Sequence, residues 1–201
     1  MWEYAYVQIS SLFIVIGYSF AHLKSAHLHI LLYRMKKILL LVCLIIAAGC
    51  SQAQDTVDTK NIQNIPPFKI LRTDSTWFTT ANLKKGKPVM IIYFSPDCSH
   101  CQHMVYDMKP KMKQFGNIQI IMVTFTDFNR LKMIQNFSRD FDLAKYHNIT
   151  IGTEGHTYIV QRYYQVSSTP YIAIYDKNGK LVKAYAKAPS IDTLIAEIKK
   201  A

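Results

Sequence analysis

Residues 89–101 read Val-Met-Ile-Ile-Tyr-Phe-Ser-Pro-Asp-Cys-Ser-His-Cys, and this stretch decides the fold. Its first six residues are apolar on both alternating faces, which is typical of a central strand covered on each side. Serine, proline and aspartate then form a turn. Cys98 and Cys101 follow at the start of an expected helix, where residues three apart share a face. Two sulfurs at that spacing can close a small disulfide ring, so the stretch indicates a dithiol redox site.

The position of Cys98 favours its ionised form. The start of a helix lies beside unpaired backbone N–H groups and the positive end of the helix dipole, and both stabilise a thiolate. A thiolate is the attacking species in thiol–disulfide exchange. The sequence therefore predicts a reactive sulfur at Cys98.

The chain has four cysteines, and their positions narrow the chemistry. Cys43 and Cys50 lie in an apolar stretch that is typical of a leader, so the remaining body holds a single pair. A disulfide framework would need more cysteines spread along the chain. A zinc site of four thiolates would need a second Cys-x-x-Cys motif, which the sequence lacks. The dithiol interpretation remains.

Residues 35–49 have the pattern of a secretion signal. Met35-Lys36-Lys37 supplies positive charge, residues 38–46 form an apolar run, and Ala47-Ala48-Gly49 precedes Cys50. This ending resembles a bacterial lipobox, although Ala47 stands where leucine is more common. The resemblance implies cleavage before Cys50 and acylation of its sulfur and amine, and several acyl chains give stable anchoring. An ordinary signal peptide and a short membrane anchor are the alternatives.

Residues 1–34 do not fit a lipoprotein signal. They contain a second apolar stretch, residues 7–21, followed by a histidine-rich segment. We interpret them as a non-genuine N-terminal extension, with translation starting at Met35. The alternative is a transmembrane helix, but roughly 15 residues is short for a span.

The chain from Cys50 onward comprises 152 residues, which fits one domain. It carries 20 Lys and Arg against 12 Asp and Glu, an excess that suits a solvated basic surface or anionic headgroups. We expect no nucleic-acid partner, because secretion would separate the chain from nucleic acid. Residues 50–66 are polar without an apolar period and are predicted as a tether, which leaves 67–201 as the domain.

Alternating strands and helices predict an α/β domain, a three-layer sandwich with a central mixed β-sheet flanked by helices. The predicted strands cover residues 68–72, 77–79, 89–94, 117–125, 171–175 and 181–186. The predicted helices cover residues 101–115, 128–141 and 158–164, and a final helix follows Ser190 as its cap. Pro110 is expected to kink the first of these helices or to end an inner segment of it.

Three motifs give the chain a resemblance to thioredoxin-like proteins. They are Lys85-Gly86-Lys87-Pro88 before the central strand, residues 94–101 after it, and Val166-Ser167-Ser168-Thr169-Pro170 before the terminal hairpin. Over about residues 66–201, the chain is most similar to the membrane-anchored, extracytoplasmic thiol–disulfide oxidoreductases of the TlpA/redoxin type.

The resemblance implies roles for four residues. Cys98 would be the nucleophile that forms a mixed disulfide, and Cys101, more buried, would resolve it. Pro170 matches the family's cis-proline, which faces the dithiol and leaves the backbone of Thr169 free to pair with an extended substrate. No cofactor and no resident metal is implied.

His100 is expected to tune the redox potential. An imidazole between the cysteines can stabilise the Cys98 thiolate, which makes the pair a better oxidant. A histidine here resembles DsbA-type oxidases, whereas the anchor and scaffold resemble reductases; alternatively, the side chain points to solvent with little effect. The buried acid of thioredoxin, six residues before the first cysteine, is Ile92 here, so proton transfer from Cys101 would use water, Glu154 or another group.

We therefore predict a membrane-anchored thiol–disulfide oxidoreductase of the cell envelope, facing the periplasm or the cell exterior and reducing protein disulfides. Its partners would be protein disulfides or dithiols, a membrane electron donor, and the membrane itself through the lipid. The alternatives are a copper or other metal chaperone, which would add His100 and His103 to the cysteines, and a redox-inactive binding module. Both histidines are expected to point away from the cysteine face, which argues against one shared ion.

Overall fold

A computed structural model describes residues 33–39 and 57–201. The chain divides into two compact units, residues 1–54 and 55–201. In the first unit, residues 33–39 are helical with exposed side chains. In the described part of the chain, no helix combines the length and the apolar character needed to cross a membrane.

The second unit is built on one seven-stranded sheet with the order β2-β1-β5-β4-β3-β6-β7. The three inner strands β3, β4 and β5 are parallel, and the outer strands are antiparallel to their neighbours. The sheet is therefore mixed, as predicted. The strands are β1 Lys69–Arg72, β2 Trp77–Thr79, β3 Val89–Tyr93, β4 Gln119–Thr124, β5 Ile149–Thr153, β6 Tyr171–Tyr175 and β7 Leu181–Tyr185.

Helices cover both faces of this sheet. The α-helices are α1 Ser99–Met108, α2 Leu131–Asp140, α3 Ile159–Tyr164 and α4 Ile191–Ile198. Side chains of α1, α2 and α4 pack in one core cluster, and those of α3 pack in a second cluster on the opposite face. The three-layer architecture is confirmed. Shorter 3-10 turns are Thr80–Asn82, Lys109–Phe115, Phe128–Arg130, Leu143–Lys145 and Gly155–Thr157.

The central strand divides its side chains between the two clusters. Met90 and Ile92 belong to the first cluster, whereas Ile91 and Tyr93 belong to the second. All five residues of β3 are buried, because neighbouring strands cover both edges and helices cover both faces. This double burial explains the continuous apolar run in the sequence.

Several element boundaries differ from the sequence-based ones. Helix α1 begins at Ser99 and ends at Met108, and Pro110 lies in the 3-10 turn that follows it. Proline lacks the N–H that would continue an α-helix, which accounts for the early end. Strand β5 was not predicted at all. The cap of the last helix is confirmed, since the Ser190 side chain accepts a hydrogen bond from the Thr193 N–H at 3.2 Å.

Residues 57–66, which we refer to as the strap, pack against the domain. Ile62 is 3% exposed and lies in the second core cluster. The Leu181 N–H donates to the Gln63 carbonyl at 3.0 Å, and Asn64 forms an isolated bridge with Lys180. The packed unit therefore includes residues on the N-terminal side of the predicted boundary at residue 67.

Candidate active site

The dithiol lies where β3 ends and α1 begins. Cys98 is the N-cap of α1, and its N–H donates to the Ser95 carbonyl at 3.1 Å. The Gln102 side chain donates to the Pro96 carbonyl at 2.8 Å, which fixes the turn to the first helical residues. Asp97 is exposed in this turn, and the cap position itself belongs to Cys98. The short connection thus holds the first sulfur at the helix N-terminus.

The two cysteines have different environments. Both are free thiols; Cys98 is partly exposed, whereas Cys101 is fully buried in the core beside Ile92 and Met104. Burial raises the pKa of the Cys101 thiol to about 12. A buried apolar environment disfavours the charged form, so Cys101 stays protonated until the reaction reaches it.

The pKa of the Cys98 thiol is shifted in the opposite direction. Partial burial acts to raise the pKa of this thiol, but hydrogen bonds from the side chains of Thr169 and Cys101, and from the backbone N–H groups of Cys101 and His100, outweigh it. The pKa of Cys98 therefore lies below its usual value. The N–H groups at the helix start, which the sequence predicted, contribute to this lowering after the two side chains.

The loop before β6 completes the site. The Thr169–Pro170 peptide bond is cis, as the resemblance implied. The Cys98 thiol donates to the Thr169 carbonyl at 3.4 Å. The two predicted backbone and sulfur groups therefore lie in direct contact, although they are 71 residues apart in the chain.

A cavity of about 470 Å³ adjoins this loop. Its lining includes His100, His103 and Met104 from α1, Thr169 and Pro170 from the loop, and residues 187–191 before α4. Both histidines are exposed on α1, on the side that faces this cavity, while Cys101 points into the core. His100 and His103 therefore lie on the cavity side of α1, whereas the Cys101 sulfur lies in the core.

Glu154 does not serve Cys101 as the sequence suggested. Its buried carboxylate accepts hydrogen bonds from the Tyr93 hydroxyl at 2.8 Å and from the N–H groups of Val160 and Gln161 at 2.7 and 3.2 Å. Tyr93 packs in the second core cluster, on the face of the sheet opposite to Cys101. Glu154 thus anchors α3, and proton transfer from Cys101 through it is not supported.

The alternative of a metal chaperone requires a cluster of metal-ligating side chains. Within residues 33–39 and 57–201, no group of three or more His, Cys, Asp or Glu side chains is placed to hold a metal ion. The predicted lipidation residue Cys50, the end of the leader and most of residues 1–34 lie outside the described residues.

A family model for a thioredoxin-like domain matches residues 79–201, which include the dithiol and the cis-proline loop. The chain belongs to the thioredoxin-like family. No curated protein sequence matches the chain significantly.

Solved structures share the thioredoxin-like fold with this chain. A secreted Mycobacterium tuberculosis disulfide oxidoreductase homologous to E. coli DsbE has a TM-score of 0.56 at 18% identity, and the match covers 67% of this chain and 96% of that one. The M. tuberculosis protein DsbF has a TM-score of 0.56 at 19% identity, with 66% and 93% covered. The exposed lipoprotein thioredoxin Etrx1 of Streptococcus pneumoniae has a TM-score of 0.52 at 22% identity, with 67% and 99% covered.

These thioredoxin-like neighbours bear out the predicted fold class. Their identities are low, so the likeness concerns the fold alone. The roles of Cys98, Cys101, His100, Thr169 and Pro170 remain predictions that rest on the geometry described above.

Proposed function

We propose that this thioredoxin-like protein is an extracytoplasmic thiol–disulfide oxidoreductase that reduces protein disulfides with Cys98 and Cys101. The observation that carries the proposal is the asymmetry of the pair. One partly exposed cysteine has a lowered pKa at a helix start, and its buried partner has a pKa raised to about 12. Reduction of a disulfide by a cysteine pair needs one thiolate that attacks the substrate and a second thiol that later attacks the mixed disulfide.

The reaction starts from the reduced pair. The Cys98 thiolate attacks one sulfur of a substrate disulfide, so a mixed disulfide forms and the other substrate sulfur leaves as a thiolate. Cys101 then loses its proton to that leaving thiolate or to water, and its sulfur attacks the Cys98 sulfur. The second substrate sulfur leaves, the substrate has gained two electrons, and the pair ends as a Cys98–Cys101 disulfide.

A membrane-borne dithiol protein would regenerate the reduced form. Its thiolate attacks the Cys98–Cys101 disulfide at Cys98, and Cys101 leaves as a thiolate. The second thiol of the donor then attacks the mixed disulfide, which releases the Cys98 thiolate and leaves the donor oxidised by two electrons. Such a donor is needed because each turnover of a reductase consumes two electrons.

Substrate binding is proposed at the cis-proline loop. The Thr169 carbonyl lies 3.4 Å from the Cys98 sulfur. An extended substrate segment could pair with Thr169 through main-chain hydrogen bonds, as added strands do at exposed edges. His100 lies on the rim of the adjoining cavity, where its imidazole would tune the Cys98 thiolate once substrate covers the site.

The lipid anchor at Cys50 is proposed from the small residues 47–49 that follow the apolar run 38–46. Two neighbours of this fold are described as a secreted protein and as an exposed lipoprotein, which supports an extracytoplasmic place for this chain. The protein would face the periplasm or the cell exterior.

The test is the reduction potential of the pair in the purified lipoprotein, equilibrated in dithiothreitol or glutathione buffers. We expect one reversible two-electron transition at a reducing potential, with insulin reduction lost in Cys98→Ser and retained in Ser99→Ala, an exposed neighbour in the same motif. A markedly oxidising potential would contradict the reductase direction. The absence of a two-electron transition would contradict the enzyme itself and favour copper binding.

A further inference from the structure

The strap enters the domain at the dithiol end of the sheet. Val57 and Asp58 line a small cavity together with Ser167 and Ser168, which directly precede Thr169. The Thr169 carbonyl contacts the Cys98 sulfur at 3.4 Å. The first described residues of the strap therefore lie beside the loop that forms one wall of the candidate active site.

From that end the strap runs away from the dithiol. Strand β6 is antiparallel to β3, so Tyr171 lies at the dithiol end and Tyr175 at the opposite end. The Tyr175 hydroxyl donates to the Ile62 carbonyl at 3.2 Å. Asn64 then pairs with Lys180 in the β6–β7 hairpin turn, which is the end farthest from Cys98.

The strap is held at several points along this path. The Tyr163 hydroxyl donates to the Asn64 carbonyl at 2.5 Å, and the Lys180 ammonium donates to the Asn64 side chain at 2.7 Å. Val57 and Ile65 also pack against the second core cluster. These contacts hold Val57, the first described residue of the strap, at the dithiol end of the sheet.

Val57 is only the seventh residue after Cys50. A fully extended chain of that length spans at most about 25 Å, and a flexible one averages about 15 Å. A compact domain of about 145 residues has a radius of gyration of about 15 Å, so it is roughly 40 Å across. The tether between Cys50 and Val57 is shorter than the domain. The point at which this tether joins the domain therefore decides which end of the domain lies near the membrane.

We propose that the strap turns the dithiol end of the domain toward the membrane and presents Cys98 to the thiols of a membrane-embedded dithiol protein. The inference rests on the lipid anchor of the proposed function. It assigns to the strap a positioning role, because the strap sets the orientation of Cys98 without touching the sulfur. The donor's cysteines must then lie within the layer close to the membrane surface.

Fluorescence energy transfer tests the orientation without any need for enzyme activity. The lipidated full-chain protein is reconstituted in phosphatidylethanolamine–phosphatidylglycerol vesicles that carry acceptor dyes on their headgroups. A donor dye is attached at Cys98 in the Cys101→Ser variant, or at the opposite end in Lys177→Cys with both active-site cysteines replaced by serine. Lys177 is exposed in the hairpin turn.

We expect clearly higher transfer from position 98 than from position 177. The two positions lie at opposite ends of β6, and five strand residues alone span about 17 Å. Inserting 20 Gly and Ser residues between Gln54 and Asp55 should reduce this difference, because a longer flexible linker releases the orientation. Equal transfer at the two positions with the native length, or higher transfer at position 177, would overturn the orientation.

A second measurement tests the partner. In Cys101→Ser, the mixed disulfide at Cys98 cannot be resolved, so adducts accumulate in the native host. We expect the adduct with integral membrane proteins to fall several-fold when the tether is lengthened, because the effective concentration falls with linker length. An adduct yield that does not change with tether length would overturn the presentation to a membrane partner.

These outcomes differ from a failure of the proposed function. If vesicle flotation finds no bound protein, the anchor is wrong. If the protein binds vesicles and shows the expected orientation but insulin reduction is absent, the enzyme proposal is wrong and the positioning role of the strap stands.

Discussion

At the scale of single residues, two identical side chains acquire opposite chemistry from their surroundings. The pKa of Cys98 is lowered by hydrogen bonds from the Thr169 and Cys101 side chains and from N–H groups at the helix start, whereas burial raises the pKa of Cys101. The sequence predicts this difference because the spacing places one sulfur at the helix end and the other one turn inside. The sequence does not predict the hydrogen bond of Glu154 with Tyr93, since the two residues are 61 positions apart in the chain.

The Cys101 thiol is one of the groups that lower the pKa of Cys98. We expect Cys101→Val to raise the pKa of Cys98, because valine cannot donate a hydrogen bond, whereas Cys101→Ser keeps a donor and should change it less. The measurement is the rate of iodoacetamide alkylation of Cys98 against pH. The midpoint should shift to higher pH in the valine variant, and equal midpoints in the two variants would contradict this role of the Cys101 thiol.

Tyr171 offers a second test at this scale. Its hydroxyl is buried without a hydrogen-bond partner among the described residues, whereas the Tyr175 hydroxyl contacts both Tyr164 and Ile62. An unpaired buried polar group costs about 1–3 kcal/mol. Tyr171→Phe should therefore raise the free energy of unfolding in urea by about 1 kcal/mol.

Tyr175→Phe is the matched control, because it removes a hydroxyl that has partners. We expect this variant to lower the free energy of unfolding by about 1 kcal/mol. Equal losses of stability in the two variants would mean that the Tyr171 hydroxyl is satisfied in solution.

At the scale of elements, the strands with long apolar runs were predictable from the sequence, whereas β5 was not. β3, β4 and β6 are buried on both faces and read as continuous apolar segments. β5 has the sequence Ile-Thr-Ile-Gly-Thr. It was not predicted because threonine and glycine interrupt its apolar residues. The strap was not predicted either, because its packing depends on partners more than 100 residues away.

The presence of glycine at position 152 in β5 has a structural reason. A Cβ at Gly152 would lie 2.7 Å from the Leu71 carbonyl oxygen of β1. Gly152→Ala should push β1 from β5 and lower the free energy of unfolding by about 1–3 kcal/mol, as overpacking does. Urea unfolding checks this value, with Gly116→Ala as the control because its nearest contact is a looser 3.3 Å. A loss no larger than that of the control would mean that the two strands can separate freely.

At the scale of the whole molecule, the sheet has two edges, and they are treated differently. β2 is an edge strand of only three residues, which offers little backbone for another chain to pair with. β7 is the other edge, and the strap meets it through the bridge of Asn64 with Lys180 and the bond from Leu181 to Gln63. The strap therefore pairs with the start of this edge strand, in addition to the positioning role that we propose for it.

The strap also sets the order in which the chain can become native. Ile62 and Asn64 are among the first domain residues to be synthesised, yet their partners Tyr175 and Lys180 come 113 and 116 residues later. Contacts of such long sequence separation form late and slow the folding of a domain. A nascent chain that has exposed only its first strands cannot close the sheet edge, so the domain reaches its final form only when the terminal hairpin has been made.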